Sequence, residues 1–593
     1  MNKNRTLSLF AIFFAAFFFR VLYLLFLKKY YFFYDYPGSD VLYYQNWASD
    51  IASGNWLGNG VFFGLPLYAY FLAVLKRLFL NNLEIIRLLH LTLGSLNCVL
   101  VYLTAEKILS RKTAYVSSLL AAVNFILIYY DTFLLPTTLI ISLSLVTVLA
   151  ILNMNEETKK KEWLFLGILL GMGLLADGKF LFVFALLTFY LFRRFQGTPD
   201  FKTRIFMPLL LGFLGIALAV TIRNGIIGKD CVFISAQSGL SFYSGNHSDS
   251  TGIFENLSFI HPDHEGQDRD QRILAEHALK KPLKPSEVSR YWFRQGLDFI
   301  FRSPAQYGKL LGRKFLNFFR DNEAAYDIDL LLQKKWKDAW DLNSFRLIVP
   351  FFLIGFWIAL RERKNTALLD IFVISQLIFS LVFFVTLKHR STILPFLIIF
   401  EAYGLIWIFE TLKQRSYRIL GVLILVAVMF FLLKPKEMEA RETDFLEFSK
   451  RGLISAEKND FTGAEKFYRK ALSLKPQDTN ALYNLAVLYL TQNRIDQAVG
   501  ILTGILQLNP FDVDATYNLA YGHEALGRTD TALYLYQRVI GFWPESIDAH
   551  YRLAQLYKKT GDCASARQHY TAIVSIQPAR KKEISSLISQ CPN

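Results

Sequence analysis

The chain has 593 residues, of which 53% are hydrophobic and only 19% are charged. Soluble proteins carry about 25% charged residues, so this composition predicts a membrane protein. The net charge is +16, from 65 Lys and Arg against 49 Asp and Glu. The basic residues are spread over many loops rather than gathered on one face, so no nucleic-acid partner is expected.

Apolar stretches of the length that crosses a bilayer recur through the first 433 residues. We predict about eleven transmembrane helices, over 7–27, 84–108, 114–133, 134–152, 163–176, 180–192, 205–222, 346–360, 366–386, 392–412 and 418–433. The first stretch is too long for a cleaved signal peptide and lacks a small-residue cleavage site, so we expect it to be retained.

Clusters of basic residues fall on alternate loops between these spans, beginning with Arg111-Lys112 and Lys159-Lys160-Lys161. The positive-inside rule places such loops in the cytoplasm. Loop 28–83, segment 223–345 and everything after residue 434 then lie outside. We therefore expect an integral protein of the bacterial inner membrane with a periplasmic C-terminal part.

The C-terminal part repeats with a period of 34 residues. Prolines, alanines and tyrosines keep this step: Pro476, Pro510, Pro544 and Pro578; Ala464, Ala498, Ala532 and Ala566; Tyr483, Tyr517 and Tyr551. This pattern is typical of tetratricopeptide repeats, in which small residues lie where two helices cross and proline closes each unit. We predict about four repeats stacked into an α-solenoid, with a capping helix over 579–590.

The sequence changes abruptly from apolar to charged at 434–437, and we place the domain boundary there. The predicted fold is all-α, with a polytopic membrane domain over 1–434 and a repeat domain over 435–593. The groove of such a solenoid usually holds a peptide or partner protein, and a passive spacer or dimer contact is the alternative. Cys563 and Cys591 either form a disulfide or remain free thiols.

Loop 28–83 is more than a connector. The pattern of apolar and polar residues predicts one helix over about 40–54 and a second helix that opens at Phe63 to Tyr70, both lying along the membrane surface. Asp40 begins the first of these helices. Its carboxylate either does chemistry at the lipid surface or caps the helix.

Several motifs follow one another in a recognisable order. They are Asp40, Tyr43-Tyr44, Trp47-Ala48, Gly54, Pro66-Leu67-Tyr68, Arg223-Asn224, Gly239 to Gly245, Pro304-Ala305-Gln306-Tyr307 and His389 to Pro395. In this order they resemble the GT-C glycosyltransferases, and more narrowly the protein O-mannosyltransferase and aminoarabinose-transferase superfamily (glycosyltransferase family 39). The resemblance covers most of residues 1–412.

The resemblance implies transfer of a single sugar from a polyprenyl-phosphate carrier, undecaprenyl or dolichyl phosphate, to an acceptor hydroxyl. The expected acceptor is a protein Ser or Thr, with a lipid or glycan as alternatives. In the family, the aspartate of the first loop activates the acceptor, and Asp40 matches that position. The residue type fits, because a hydroxyl nucleophile needs a carboxylate to take its proton. Asp131 matches a place where relatives often hold an acidic residue, and a simple turn is the alternative.

The leaving lipid phosphate needs fixed positive charge. Four basic residues at the expected outer ends of spans are candidates for holding it: Arg390, Lys388, Arg223 and Lys179. Arginine suits this role because its fork meets phosphate oxygens in pairs. Each of these residues has an alternative role as an interfacial anchor or turn residue.

The chain departs from some relatives at Tyr43, where they carry a basic residue, and at Gly64 and Leu65, where they carry an acidic and a basic one. Both departures remove expected phosphate or metal contacts, so we predict no metal and no cofactor besides the lipid-linked sugar. The external His247, His261, Asp263, His264 and Asp268 are spaced too irregularly to predict a metal site.

Two other functions stay open at this point. One is transfer of a whole glycan, as in O-antigen ligases and oligosaccharyltransferases. The other is a non-enzymatic membrane scaffold whose repeats recruit envelope proteins. In the enzyme reading, the expected partners are the lipid carrier and an acceptor protein or envelope partner docked in the groove of the repeats.

Overall fold

The computed structural model describes residues 3–30, 34, 39–196, 200–320, 345–414, 421, 425–426, 428–429 and 440–589. Helices dominate these residues and no strand occurs among them, which confirms the predicted all-α class. Their one strand-like pairing is a bridge between Ile253 and Val385. The chain divides into two compact units, Met1–Glu255 with Lys284–Lys436 and Asn256–Leu283 with Glu437–Asn593.

The first unit contains seventeen of the helices that we number over the described residues. They are α1 Lys3–Tyr30, α2 Ser39–Ala52, α3 Leu67–Leu78, α4 Leu83–Ile108, α5 Arg111–Val123, α6 Phe125–Thr132, α7 Thr137–Leu152, α8 Lys160–Ala176, α9 Phe180–Arg194, α10 Met207–Ile227, α11 Ser238–Gly245, α13 Pro285–Arg302, α14 Pro304–Phe319, α15 Phe345–Arg361, α16 Ala367–Val382, α17 Leu387–Ser391 and α18 Leu394–Lys413.

Four helices of the described chain are long and apolar enough to cross a membrane: Arg5–Tyr30, Leu83–Ile108, Lys202–Ile227 and Leu394–Lys413. A fifth candidate is the pair α5 and α6, which is bent by 54°. The sequence predicts one helix here. The break occurs at Asn124, whose extended backbone and side chain start a new helix by accepting the N–H of Leu127.

The predicted number of eleven spans goes beyond these helices. Two further apolar helices, α7 and α16, are shorter than a full span. Most of the predicted span 418–433 and the whole predicted link 434–437 lie outside the described residues.

Loop 28–83 contains the two predicted helices, α2 and α3, and they pack against each other. Lys76 at the end of α3 donates to the backbone oxygen of Gln45 at 3.1 Å and to Ser49 Oγ at 2.6 Å. Tyr43 on α2 accepts the N–H of Gly64 at 3.2 Å. These bonds hold α3 against α2 both just before α3 begins and near its end. They thereby fix the position of Asp40 at the start of α2.

The second unit contains the predicted solenoid. Its helices are α12 His264–Leu279, α19 Ala440–Glu457, α20 Phe461–Leu474, α21 Thr479–Thr491, α22 Ile495–Leu508, α23 Val513–Ala525, α24 Thr529–Phe542, α25 Ile547–Lys559, α26 Cys563–Ile576 and α27 Lys581–Ile588. The helices α19 to α26 form four pairs, and α27 is the predicted cap. The alanines at the 34-residue step, Ala464, Ala498, Ala532 and Ala566, are all fully buried where the paired helices meet.

Residues 256–283 are a feature of this unit that the sequence analysis did not anticipate. The sequence assigns them to segment 223–345 of the membrane domain, whereas in the structure they pack with the repeats. The second unit is therefore built from two separate stretches of chain. Cys591, one partner of the disulfide considered above, lies outside the described residues.

Candidate active site

Asp40 and Lys388 form an ion pair, although 348 positions separate them in the sequence. Asp40 is the second residue of α2, and Lys388 lies on the short helix α17. Their side chains are 31% and 19% exposed, so the pair is partly open to its surroundings. The structure therefore brings together one predicted acid and one predicted phosphate-binding base.

Tyr44 lies one helical turn after Asp40 and close to the same charges. Burial raises the pKa of Tyr44 to about 12, and Lys388, Asp40 and Asp177 are near enough to affect it. His389 is also buried, and this burial lowers its pKa to about 4. At neutral pH the pair is thus flanked by a neutral phenol and a neutral imidazole.

Lys179 joins the site from the turn between α8 and α9. Its side chain is fully buried, with Nζ 3.3 Å from Asp177 Oδ2 and hydrogen-bonded to Thr392 Oγ1. Asp177 Oδ1 accepts the backbone N–H of Lys179 at 3.0 Å and so closes the turn. We call Asp40, Tyr44, Asp177, Lys179, Lys388 and His389 the Asp40 cluster.

Arg390 does not face the Asp40 cluster. Its fully buried guanidinium donates to the carbonyl oxygens of Phe318 at 3.1 Å and Arg320 at 2.6 Å, and it lies 4.2 Å from the centre of the Phe345 ring. Side chains two positions apart on a helix point about 200° apart, so Lys388 and Arg390 lie on opposite sides of α17. Arg390 holds the C-terminal end of α14.

Arg223 is likewise engaged by backbone. Its guanidinium donates to the carbonyl oxygens of Leu57 and Gly60 and lies 3.8 Å from the centre of the Phe62 ring. The neighbouring Asn224 side chain accepts the N–H of Phe62 at 3.2 Å. These two residues together fix the stretch 57–62 of the first loop.

Asp131 is buried in an ion pair with Arg20, whose Nε lies 2.8 Å from Asp131 Oδ2. Thr138 Oγ1 donates to Asp131 Oδ1 at 2.7 Å. Arg20 lies inside the first predicted span, and its partner is the second predicted acid. The carboxylate of Asp131 is therefore enclosed by protein groups and separate from the Asp40 cluster.

A chain of side chains links the Asp131 region with Tyr44. His90 Nδ1 lies 3.0 Å from the backbone oxygen of Asp131, and His90 Nε2 lies 3.3 Å from Tyr68 Oη. The rings of Tyr68 and Tyr44 pack edge to face, with their centroids 5.2 Å apart. Asp131 thus connects to Tyr44 through His90 and Tyr68 and does not contact the Asp40–Lys388 pair itself.

The sequence motifs include Tyr44 and His389, but neither they nor Asp177 were predicted as site residues. The spacing from Asp40 to Tyr44 is one helical turn, a signal that sequence alone contained. No sequence pattern indicates that Asp177 and His389 lie near each other, since they are brought together by packing between helices that are distant in sequence. Among the described residues, no group of three or more His, Cys, Asp or Glu is placed to hold a metal ion.

The arrangement suits a transfer reaction at an anionic group. A partly exposed carboxylate offers a proton acceptor, and two lysines provide positive charge that is fixed by neighbouring carboxylates. The ion pair and the buried tyrosine and histidine keep these groups in place before any substrate binds.

Comparisons with known proteins give the same two parts. Residues 64–223 match the family model for dolichyl-phosphate-mannose-protein mannosyltransferase. Residues 455–520 and 524–591 match the model for the tetratricopeptide repeat. No curated protein sequence matches the chain.

Solved structures that resemble the chain include a crystal structure of the MamA protein, 23% identical, with a TM-score of 0.23, covering 25% of this chain and 86% of that one. MamA from Desulfovibrio magneticus RS-1 is 20% identical, with a TM-score of 0.23 and coverage of 30% and 93%. YrrB, described as a TPR protein with an unusual peptide-binding site, is 17% identical, with a TM-score of 0.23 and coverage of 31% and 89%. The chain therefore contains a region, residues 64–223, that matches the dolichyl-phosphate-mannose-protein mannosyltransferase family, followed by C-terminal tetratricopeptide repeats.

Proposed function

We propose that the protein transfers a single sugar from a polyprenyl-phosphate carrier to an acceptor hydroxyl, at the outer face of a bacterial inner membrane. The observation that carries this proposal is the Asp40–Lys388 ion pair. It places an acid and a base of the expected types together in a chain whose residues 64–223 match the mannosyltransferase family.

In this proposal Asp40 takes the proton of the acceptor hydroxyl while the hydroxyl oxygen attacks the anomeric carbon of the sugar. The bond between that carbon and the carrier phosphate breaks, and the phosphate leaves with the electron pair. Lys388 and Lys179 stabilise the phosphate as its negative charge grows. No metal or other cofactor is needed for these steps.

The ion pair gives this mechanism an order. In the resting site Lys388 neutralises Asp40, which makes the carboxylate a weaker base. A carrier phosphate competes with Asp40 for the Lys388 ammonium. Binding of the donor therefore frees the carboxylate for the acceptor.

The other predicted site residues take supporting roles in the proposal. Asp131 does not touch the sugar. Through His90 and Tyr68 it positions Tyr44, which lies one helical turn after Asp40. Arg390 and Arg223 hold the end of α14 and the stretch 57–62. In this proposal the two lysines of the Asp40 cluster, Lys179 and Lys388, bind the phosphate of the donor.

We further propose that the acceptor is a protein and that the repeats bring it to the membrane. Repeats of this type commonly bind peptides. The packing of residues 256–283 with the repeats supports a common side of the membrane for both, since this stretch lies in the same loop between spans as α13 and α14.

The test is Asp40→Asn in membranes incubated with a panel of labelled polyprenyl-phosphate sugars. We expect one label to move to a protein in the parent, and Asp40→Asn to lose at least about 99% of this transfer, because removing a general base costs about 10²–10⁴-fold. Protein level should be unchanged, and carrier binding should be kept or become tighter, because no carboxylate then competes with the phosphate for Lys388.

Lys388→Met is the matched variant. It should weaken carrier binding and transfer together, whereas Asp40→Asn loses transfer without weakening carrier binding. Unaltered glycosylation in Asp40→Asn would refute the proposal and favour a scaffold. Movement of label only from a lipid-linked oligosaccharide would favour transfer of a whole glycan.

A further inference from the structure

Residues 256–283 belong to the second unit, and the chain before and after them belongs to the first unit, where hydrogen bonds hold it on both sides. On one side, the N–H of Phe254 donates to the Val385 carbonyl at 3.1 Å. On the other side, the N–H of Ser286 donates to Asp230 Oδ2 at 2.6 Å. The stretch between these points packs with the repeats. It behaves as a ligand that the chain itself supplies.

The polar part of this contact is built from opposite charges. Arg269 on α12 donates through both terminal nitrogens to Asp514 Oδ1 and Oδ2, each at 2.8 Å. His261 Nδ1 lies 2.6 Å from Asp270 Oδ2, and His261 Nε2 lies 3.5 Å from Asp514 Oδ2. A bidentate Arg–carboxylate pair gives direction as well as energy, so it fixes the register of α12.

The apolar part is small. Ile273 is 3% exposed and belongs to the same apolar core as Leu519 of α23. The His277 ring lies 4.4 Å from the ring of Phe511. Arg269, Ile273 and His277 follow each other at steps of four, so one face of α12 makes all these contacts.

The surface that receives α12 lies where the third and fourth repeats begin. Arg272 of α12 lies over the Trp543 ring at 5.5 Å and 3.8 Å from Glu545. We call the receiving residues of the repeats the acidic face: Phe511, Asp512, Asp514, Trp543 and Glu545.

We propose that the acidic face is the site at which the repeats bind an arginine-bearing helical segment of a partner protein, and that α12 is a built-in competitor for this site. The partner segment carries an arginine and, four residues later, a branched apolar residue, as α12 does. The inference rests on the proposed function and deepens it, since it names the chemistry by which the repeats select an acceptor protein or its escort.

The contact suits a displaceable competitor better than a permanent core. One apolar side chain is its centre, and its outer charged groups are partly exposed, with Asp514 at 35% and Arg272 at 35%, while Arg269 and Asp270 are 17% and 7% exposed. Undocking leaves the anchors at Phe254 and Ser286 intact. A short tether holds α12 at a local concentration on the order of millimolar, so only a segment of matching chemistry displaces it.

The test uses the full-length protein in detergent and a fluorescent peptide with the sequence of residues 261–280. Arg269→Glu in the protein should release α12, because it places two negative charges together, while leaving the acidic face unchanged. We expect this variant to bind the peptide at least about tenfold tighter than the parent. Arg302→Glu is the control, since Arg302 is exposed and, among the residues that the structure describes, pairs with Asp298 on its own helix.

The acidic face is tested by a second change in an Ile273→Glu protein, which releases α12 by removing its apolar contact and keeps Arg269, so that α12 cannot pair with an arginine introduced at position 514. Asp514→Arg should abolish peptide binding, and a peptide with Arg269→Glu should restore it. Asp548→Arg should not affect binding, although Asp548 occupies the same position 34 residues later.

Equal peptide affinity in the parent and Arg269→Glu, or full binding after Asp514→Arg, would overturn the inference. Neither result bears on sugar transfer. Conversely, Asp40→Asn should bind the peptide like its parent, so a failure of the proposed enzyme activity is seen separately.

Discussion

Arg20 and Asp131 form an ion pair in the interior, with side chains 1% and 4% exposed. Asp131 approaches α4 so closely that a Cβ on Gly94 would lie 2.2 Å from its Oδ2. Removing both charges from such a pair often costs little, whereas removing one leaves the other buried and uncompensated. The pair is therefore a sensitive point for stability.

We expect Arg20→Met and Asp131→Asn each to lower the free energy of unfolding by about 3–5 kcal/mol. The double variant should be clearly more stable than either single variant, because no buried charge is then left alone. Unfolding in detergent, titrated with SDS and followed by fluorescence, measures these differences.

Sugar-transfer activity distinguishes a supporting role of Asp131 from a catalytic one. If Asp131 only positions neighbouring groups, the double variant keeps most of its sugar transfer. Loss of transfer in a well-folded double variant would return Asp131 to the list of reacting groups.

The predicted site residues show what a sequence can reveal at this scale. Asp40 and Lys388 were both candidates, but their pairing depends on contacts across 348 positions that no local pattern encodes. Arg390 was placed beside the same phosphate because it is close to Lys388 in sequence. The turn of α17 separates the two side chains, and carbonyl groups at the end of α14 take up the guanidinium.

Among the elements, α15 and α18 cross at glycine. A Cβ on Gly355 would lie 1.8 Å from the carbonyl oxygen of Phe400, and one on Gly404 would lie 2.5 Å from that of Phe351. The two backbones are thus close enough that no side chain fits between them. Small residues allow such close approach between helices in membranes.

Gly355→Ala should destabilise the protein by about 1–3 kcal/mol, since the added methyl forces the two helices apart. Gly215→Ala on α10 is the control, because a Cβ there meets nothing within 4 Å. It should be neutral or slightly stabilising, since alanine favours helix over glycine. The same SDS titration compares them, and an equal effect of both changes would argue against the close crossing.

The docking of α12 should depend on pH through His261. Burial by itself lowers the pKa of His261, but the hydrogen bond to Asp270 and the charges of Asp512 and Asp514 raise it to about 9. Arg269 is a cation beside these groups, with Nη2 3.3 Å from His261 Nδ1. A raised pKa means that the protonated form stabilises the docked state.

This contribution is complete below about pH 6.5, the pKa of a free histidine, and is lost as the pH rises through about 9. We expect the amides of α12 to exchange hydrogen more slowly in the parent than in His261→Gln at pH 6.5. The two proteins should converge by about pH 9.5. A difference that is constant across this range would show that His261 does not titrate in the contact.

At the scale of the whole molecule, segment 223–345 and the repeats should share one side of the membrane. In a background of Cys563→Ser and Cys591→Ser, Cys231 reports on segment 223–345; with Cys231→Ser added, cysteines introduced at Ser473 and Lys160 report on the repeats and on a predicted cytoplasmic loop, and both positions are exposed. A membrane-impermeant maleimide should label Cys231 and the Ser473 variant in spheroplasts. The Lys160 variant should react only after permeabilisation, and earlier labelling would contradict the proposed orientation.

The large-scale organisation was predictable in part. The solenoid followed from alanines, tyrosines and prolines at a fixed step, because each repeat makes its contacts with sequence neighbours. The docking of α12 was not predictable in this way. Arg269 and Asp514 lie 245 positions apart, and nothing in the local pattern around Arg269 distinguishes a helix that packs on repeats from one that remains with the membrane domain.

The acidic face has a consequence for how this protein can change over evolution. Solenoids commonly gain or lose units by duplication, since neighbouring units are nearly interchangeable. Here the position equivalent to Asp514 is Asn480 in the preceding unit, so the units differ where α12 binds. Insertion of a unit before Asp512 would carry the docking residues away from a tether of fixed length. Lineages that keep this contact should therefore keep the same number of repeats ahead of it.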